Sequence, residues 1–256
     1  MPYDQRDPGQ RDPEQRDKNN RNRLAEIYQP SVVLPDPLPA DPMPLALAWF
    51  TRAHDERVQP NPNAMTLGTV AESGLPSARI VLCKRFDAER GLVVFYTNYE
   101  SRKSVELAAT GRASVVFHWD PLDLQIRLEC RAVKSPAEES DAYYASRALE
   151  SRLGAWSSNQ SRPIGSREEL IAQVERSAAR FGIDSQDLRS ETEQQADREV
   201  PRPEFWGGWR LWIERIELWA AGPGRVHDRA VWSRSLQPTG PHDFDTGPWG
   251  HTRLQP

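Results

Sequence analysis

The chain has 256 residues, 38% of them hydrophobic, enough to enclose a cofactor in one large or two small domains, while a net charge of -4 argues against sequence-independent nucleic-acid binding. Its longest apolar runs, such as Leu92 to Phe95, are strand-sized and far short of the ~20 residues of a membrane span, and the N-terminus offers no apolar secretory signal. The only cysteines, Cys83 and Cys130, lie inside apolar strand patterns rather than a disulfide framework, so a reducing, cytoplasmic setting is expected.

Residues 1–38 are expected to be a disordered tail and an extended segment. Gln-Arg-Asp recurs at Gln5, Gln10 and Gln15 with almost nothing apolar to bury, and proline dominates from Tyr28 to Pro42. A folded domain is expected over 39–256. It opens with a helix capped by Asp41 and starting at Pro42. Strands are predicted at Met65 to Ala71, Ala78 to Lys84, Gly91 to Thr97, Ala113 to Trp119 and Leu124 to Val133. In the last of these Gln125, Arg127, Glu129 and Arg131 share one face, and Ile126, Leu128, Cys130 and Ala132 the other. Asp120 to Asp123 is the hairpin turn before it. A short helix follows Ser101 and stops at Gly111. Capping boxes at Ser135 to Glu138 and Ser166 to Glu169 open two more, and a long strand runs from Trp209 to Ala220 before Gly222-Pro223-Gly224 and a final hairpin. Many antiparallel strands with a few helices indicate a mainly β fold, a barrel with α additions.

Three clusters carry chemistry. Where the strand Tyr96-Thr97 gives way to a helix capped by Ser101, Arg102 and Lys103 stand beside free N–H groups at the positive end of the helix dipole. That outlines a phosphate site, and a solvated basic pair fits the spacing equally well. Arg79 and Lys84 add cations but lie an odd number of residues apart, so they reach one ligand only across a bulge or with Lys84 at the strand end. Tyr143, Arg147 and Ser151 are spaced i, i+4, i+8 and form one stripe if their helix continues that far. All three can donate to one phosphate, although such a stripe taken alone reads more readily as the rim of an amphipathic helix. Finally, Arg225, His227 and Arg229 share a face if their segment is extended, suiting an anion or simply a charged edge. His118, His242 and His251 show no metal-ligand spacing, and P-loop, Gly-x-Ser-x-Gly and Gly-x-Gly-x-x-Gly motifs are missing.

From Pro39 to Pro256 the chain resembles the pyridoxine 5′-phosphate oxidase family. The likeness rests on Arg79-Ile80-Val81-Leu82-Cys83-Lys84, Phe95-Tyr96-Thr97-Asn98, Ser101-Arg102-Lys103, Gly154-Ala155-Trp156, Gln160-Ser161, Phe205-Trp206-Gly207-Gly208, Arg225-Val226-His227-Asp228-Arg229 and Arg253-Leu254-Gln255-Pro256. The resemblance implies an antiparallel FMN-binding split β-barrel, homodimeric, with FMN at the subunit interface and a C-terminal dimerisation region. It implies FMN contacts from Arg79, Lys84, Tyr96, Thr97, Arg102, Lys103, Gln125, Gln160, Ser161, Trp219 and Arg229. It also implies a substrate phosphate held by Lys84, Tyr143, Arg147 and Ser151, with Arg225 and His227 over the substrate ring as catalytic residues. The implied reaction oxidises pyridoxamine or pyridoxine 5′-phosphate to pyridoxal 5′-phosphate with O2, releasing H2O2 and, from the amine, ammonia. No metal, membrane or nucleic acid takes part.

Two departures stand out. Family members often carry an N-terminal Arg-x-x-Tyr that closes over the site, whereas Ala25 to Pro30 keeps only Tyr28. Asn61 replaces the acidic residue that commonly precedes Pro-x-Ala-Met. Segments 182–198 and 237–250 read as insertions. Two rival readings are a related oxidase of phenazine biosynthesis and a non-catalytic carrier of FMN or pyridoxal phosphate. Both compete with the vitamin oxidase.

Overall fold

A computed structural model describes residues 13–184 and 199–256. Eleven strands and six α-helices are assigned among them. Strands β1 (Ala64–Val70), β2 (Pro76–Leu82), β5 (Arg112–Trp119), β6 (Leu124–Lys134), β7 (Trp206–Ala220), β8 (Asp228–Ser233) and β11 (Gly250–Leu254) form one antiparallel sheet in the order β11-β8-β7-β6-β5-β1-β2. Strand β4 (Leu92–Asn98) pairs with the first half of β7 and with the three-residue β3 (Arg85–Asp87). Because β7 pairs with β4 over 206–212 and with β8 over 215–220, while β6 runs along 209–220, the sheet curls on itself as a split barrel. The two halves of β7 therefore face different surroundings.

Alternation explains the burial. On β6, Leu124, Ile126, Leu128, Cys130 and Ala132 are buried while Gln125, Arg127, Glu129 and Arg131 are not. Trp119, Phe117, Phe95 and Trp232 fill the interior, and the two indoles donate to Pro62 O and Pro39 O, both at 2.8 Å. Helix α2 (Met43–Asp55) closes one side through Met43, Ala46, Trp49 and Ala53. Asp41 accepts the Met43 backbone N–H at 2.9 Å, so the expected cap operates and the helix begins one residue after Pro42.

The N-terminal stretch differs from expectation. Pro13–Ile27 is helix α1 rather than disordered chain, although every side chain from Asp17 to Ile27 is exposed. Composition correctly withholds packing; the hydrogen bonds of a helix are local and need none. The proline-rich segment does drape over the barrel, with Leu34 buried, Leu34 N donating to Asp228 Oδ2 at 2.8 Å and Arg253 donating to Pro35 O at 3.0 Å. Packed chain thus starts before the boundary expected at Pro39.

Two local expectations are corrected and one holds. Ser135 does not cap: its N–H donates to Gly208 O at 2.8 Å, its hydroxyl has no partner, and α4 (Ala137–Ala145) starts past Pro136, whose ring keeps the preceding residue extended. The Ser166 box holds, with the Glu169 N–H donating to Ser166 Oγ at 3.1 Å at the head of α6 (Arg167–Arg180). The helix carrying Tyr143 does not reach Ser151, because the chain turns at Ser146 to Ala148 and restarts as α5 (Leu149–Ser157). The insertion 237–250 contains a small hairpin, β9 (Leu236–Pro238) with β10 (Phe244–Thr246), packed on Trp212. Most of 182–198 lies outside the described residues.

Candidate active site

Strand β4 delivers Tyr96 and Thr97 to one end of the barrel, and Asn98 turns the chain there. Its Oδ1 accepts the Glu100 N–H at 2.6 Å. Helix α3 (Arg102–Thr110) follows and ends at Gly111, whose φ of 62° is the left-handed exit that glycine makes cheap. Ser101 occupies the cap position, yet its hydroxyl donates to Asn98 O at 2.7 Å instead of capping. Ser104 N–H already donates to Ser101 O at 2.9 Å, so in the first turn of α3 the Arg102 and Lys103 N–H groups are the ones left without a helical acceptor. Lys103 folds back over that end, donating to Ser101 Oγ at 3.0 Å and Gln160 Oε1 at 2.5 Å, while Thr97 Oγ1 donates to the same Gln160 oxygen at 3.1 Å.

Arg79 approaches from β2. It donates to Thr69 Oγ1 at 2.5 Å and Ser77 Oγ at 2.6 Å, and it meets Glu106 at 3.5 Å. Lys84 lies beyond the end of β2, where the chain leaves β1 and its N–H donates to Val94 O at 2.7 Å. Leaving the ladder removes the parity conflict, and both cations line one cavity of about 650 Å³. Tyr96, Thr97, Lys103, Gln160, Tyr143, Arg147 and Ser151 line it too, with Trp206. The turn between α4 and α5 thus keeps together the stripe that a continuous helix was expected to align. Tyr96 and Tyr143 stack at 3.9 Å between ring centres, and Arg147 sits 4.6 Å over Trp206.

Two observations test this cavity for an anion. Arg147 Nη1 is buried with no hydrogen-bond acceptor. Burial, and then the Arg79 charge, push the Lys103 ammonium down to about 8. A ligand carrying phosphate would answer both. Glu106, buried beneath Arg79, was missed in the sequence; burial raises its carboxyl, but hydrogen bonds from Thr69 and Arg102 with the Arg102 and Arg79 charges outweigh this and lower it. It holds the Arg102 Nε at 2.8 Å, so Arg102 lies beside the cavity rather than in its lining. Ser161, with φ 71°, is likewise outside the lining. Gly208 was quoted only as motif, and its role is spatial: a Cβ there would come within 2.8 Å of the Tyr96 ring.

The remaining expected residues form a second cluster. Gln125, Trp219 and Arg229 occupy one rung across β6, β7 and β8. The His227 ring lies 4.6 Å from that of Trp219, and Arg229 is held by Glu217 at 2.7 Å. Arg225, His227 and Arg229 do not share an extended face. Pro223–Arg225 is a 3-10 turn with Arg225 at φ 66°, and β8 begins only at Asp228. Gly222 N donates to His227 Nδ1 at 3.2 Å, and the Tyr28 ring lies against Gly224, so the kept N-terminal tyrosine touches this turn. Thr97 pairs with Gly207, whereas Trp219 lies about a dozen residues farther along β7, roughly 35–40 Å at about 3.3 Å per residue and somewhat less with coiling. One ligand does not bridge the two clusters within a single chain.

An antiparallel split barrel with a cavity lined by Arg79, Lys84, Lys103 and Arg147 defines the class. Residues 50–181 match the family model described as pyridoxamine 5′-phosphate oxidase, and residues 206–256 match that of the pyridoxine 5′-phosphate oxidase C-terminal dimerisation region. The chain belongs to the pyridoxamine 5′-phosphate oxidase family, a family of oxidoreductases, and its C-terminal match supports a homodimer. It is 50% identical over 187 residues to the pyridoxine/pyridoxamine 5′-phosphate oxidase of Paraburkholderia phytofirmans, covering 73% of this chain and 79% of the relative. To that of Cereibacter sphaeroides it is 44% identical, over 83% of this chain and 94% of the relative. Among solved structures it is similar to PhzG from Burkholderia lata 383 in complex with tetrahydrophenazine-1-carboxylic acid, at TM-score 0.72 and 30% identity over 88% of this chain and 98% of that one. Among the described residues, no helix is long and apolar enough to cross a membrane.

Proposed function

We propose that this protein is an FMN-dependent oxidase of vitamin B6 metabolism, cytoplasmic, converting pyridoxine or pyridoxamine 5′-phosphate to pyridoxal 5′-phosphate with O2. The observation that carries this reading is a pair of cationic cradles on one cavity, Arg79 with Lys103 at the head of α3 and Lys84 with Arg147 below α4. Two phosphates, one on a flavin and one on a vitamin, match two cradles. Arg79, Lys84, Tyr96, Thr97, Arg102, Lys103, Gln160 and Ser161 would hold FMN, and Gln125, Trp219 and Arg229 of a second copy would complete its site. The distance along β7 between the clusters supports that division.

When bound, FMN would supply the redox chemistry, taking a hydride equivalent from the substrate and passing the electrons to O2 to give H2O2. The chain's own residues position and polarise. Lys84, Tyr143, Arg147 and Ser151 would anchor the substrate phosphate through charge-assisted bonds, fixing the ring at the distance that transfer requires. His227 accepts Gly222 N–H at Nδ1, so its neutral ring carries the proton on Nε2 and offers a donor there. Arg225 adds a positive charge on a short turn, suited to the substrate's ring oxygen.

Anaerobic addition of pyridoxamine 5′-phosphate to the purified yellow protein should bleach the flavin, and readmitted air should restore colour with release of pyridoxal 5′-phosphate. A protein that stays yellow would defeat the reading and leave a carrier. One observation favours a second reading: the 30% likeness to PhzG, solved with a carboxylic acid that Arg147 could also pair. A four-donor cradle exceeds what one carboxylate needs. Turnover of tetrahydrophenazine-1-carboxylic acid but not of pyridoxine 5′-phosphate would decide for it.

A further inference from the structure

The insertion hairpin β9–β10 reaches the substrate cradle through buried charge. Arg210 on β7 is 5% exposed and bridges two carboxylates. On one side its Nε and Nη2 donate to Glu139 at 3.2 and 2.5 Å; on the other its Nη1 donates to Asp243 Oδ1 at 2.8 Å and to His242 O at 3.3 Å. Glu139 stands on α4 one turn before Tyr143, so both occupy one face of that helix. The same Glu139 oxygen accepts from Arg85 at 3.1 Å, and Arg85 directly follows Lys84. The Tyr96 hydroxyl, whose ring stacks on Tyr143, points at Glu139 O at 3.5 Å. Asp243 also accepts from Arg90 at 2.5 Å. Three guanidinium groups thus share two carboxylates, with Asp87 a further 3.9 Å from Arg85.

We infer that Asp243 and Arg210 are positioning residues for the substrate phosphate, acting through Glu139 to set α4 and with it Tyr143 and Arg147. Neither is part of the cavity lining. Removing Asp243 leaves Glu139 as the sole carboxylate on Arg210, which frees the guanidinium to move and lets α4 shift against the segment between β2 and β3 that bears Lys84. Displacement of a bidentate anchor by a fraction of an ångström weakens phosphate binding while leaving the flavin side intact. The inference rests on the phosphate cradle of the proposed function.

Asp243→Ala is the test, because the residue is half-exposed and its loss spares the core. Asp245→Ala in the same hairpin, exposed and outside the relay, is the control. Titration of the FMN-loaded protein with pyridoxal 5′-phosphate by calorimetry should show Kd raised about fivefold in Asp243→Ala only. KM for pyridoxine 5′-phosphate should rise with it while kcat stays within twofold, and Asp243→Glu should restore much of the loss. Equal Kd values in Asp243→Ala, Asp245→Ala and wild type would overturn the inference alone. Wild-type protein that binds no pyridoxal 5′-phosphate would overturn the proposed function, and this inference with it.

Discussion

The two clusters of the candidate site are built in opposite ways. The cavity around Arg147 and Lys103 is assembled from β2, β4, α3, α4 and α5, and its Arg79, Thr97, Lys103 and Gln160 side chains already pair within the chain. The turn bearing Arg225 is local, exposed and held in a left-handed conformation, with no side-chain hydrogen bond from Arg225 to any described residue. A preorganised pocket can select and orient a ligand, whereas a strained exposed cation gains its partner only when another surface meets it. The first cluster should therefore govern affinity and the second turnover.

Arg147→Ala should strike hardest. It removes a charged donor whose Nη1 is already buried and unpaired, so KM for pyridoxine 5′-phosphate should rise roughly 30-fold, about 2 kcal/mol, with little effect on unphosphorylated pyridoxine. Arg225→Ala should instead lower kcat about tenfold with KM nearly unchanged, less than the roughly 100-fold or more lost with a buried, preorganised donor, because this cation is exposed. Mixing the two variants as heterodimers sharpens the contrast: one site regains both intact clusters, so steady-state rates should recover toward half of wild type. Failure to recover would place both clusters of a site in one protomer.

The pH dependence of flavin binding tests the other cradle. Lys103 is pushed down to about 8 and a bound phosphate raises it again, so FMN affinity should be full below about pH 8 and fall several-fold above it. Fluorescence titration of apoprotein measures this, and Lys103→Met should flatten the profile. Stability of the apoprotein runs the other way. Its folded state releases the Lys103 proton near 8 and the unfolded chain only near 10.5, so folding gains stability between those values. The smallest effect is expected at Trp206→Leu, which removes the buried ring under Arg147 and should raise KM about threefold, ~0.7 kcal/mol, at the lower end of what a cation–π pair contributes.

Much of the fold was legible because strand alternation and caps are local. The β6 alternation, the Asp41 cap and the Gly111 stop each depend on neighbours within a few residues. What misled was equally local. The Ser135 box matched a pattern, but Gly208 claimed its backbone; the Tyr143 stripe assumed a helix that the turn at Ser146 interrupts; and Arg225 looked extended until its φ of 66° was known. Glu106, Glu139 and Arg210 gave no sequence signal, since an acid or arginine inside a strand or helix reads as surface until a distant partner buries it.

By itself, the sequence determined the antiparallel β character, the apolar faces, most cation positions and, through its motifs, the family. Only the tertiary structure decided that Lys84 leaves β2 to join Arg79, that Tyr143, Arg147 and Ser151 converge across a broken helix, and that the second cluster lies far along β7. The reason is physical: periodicity and capping are set by neighbours in the chain, whereas convergence of charges and the burial that shifts Lys103 depend on which distant elements pack together.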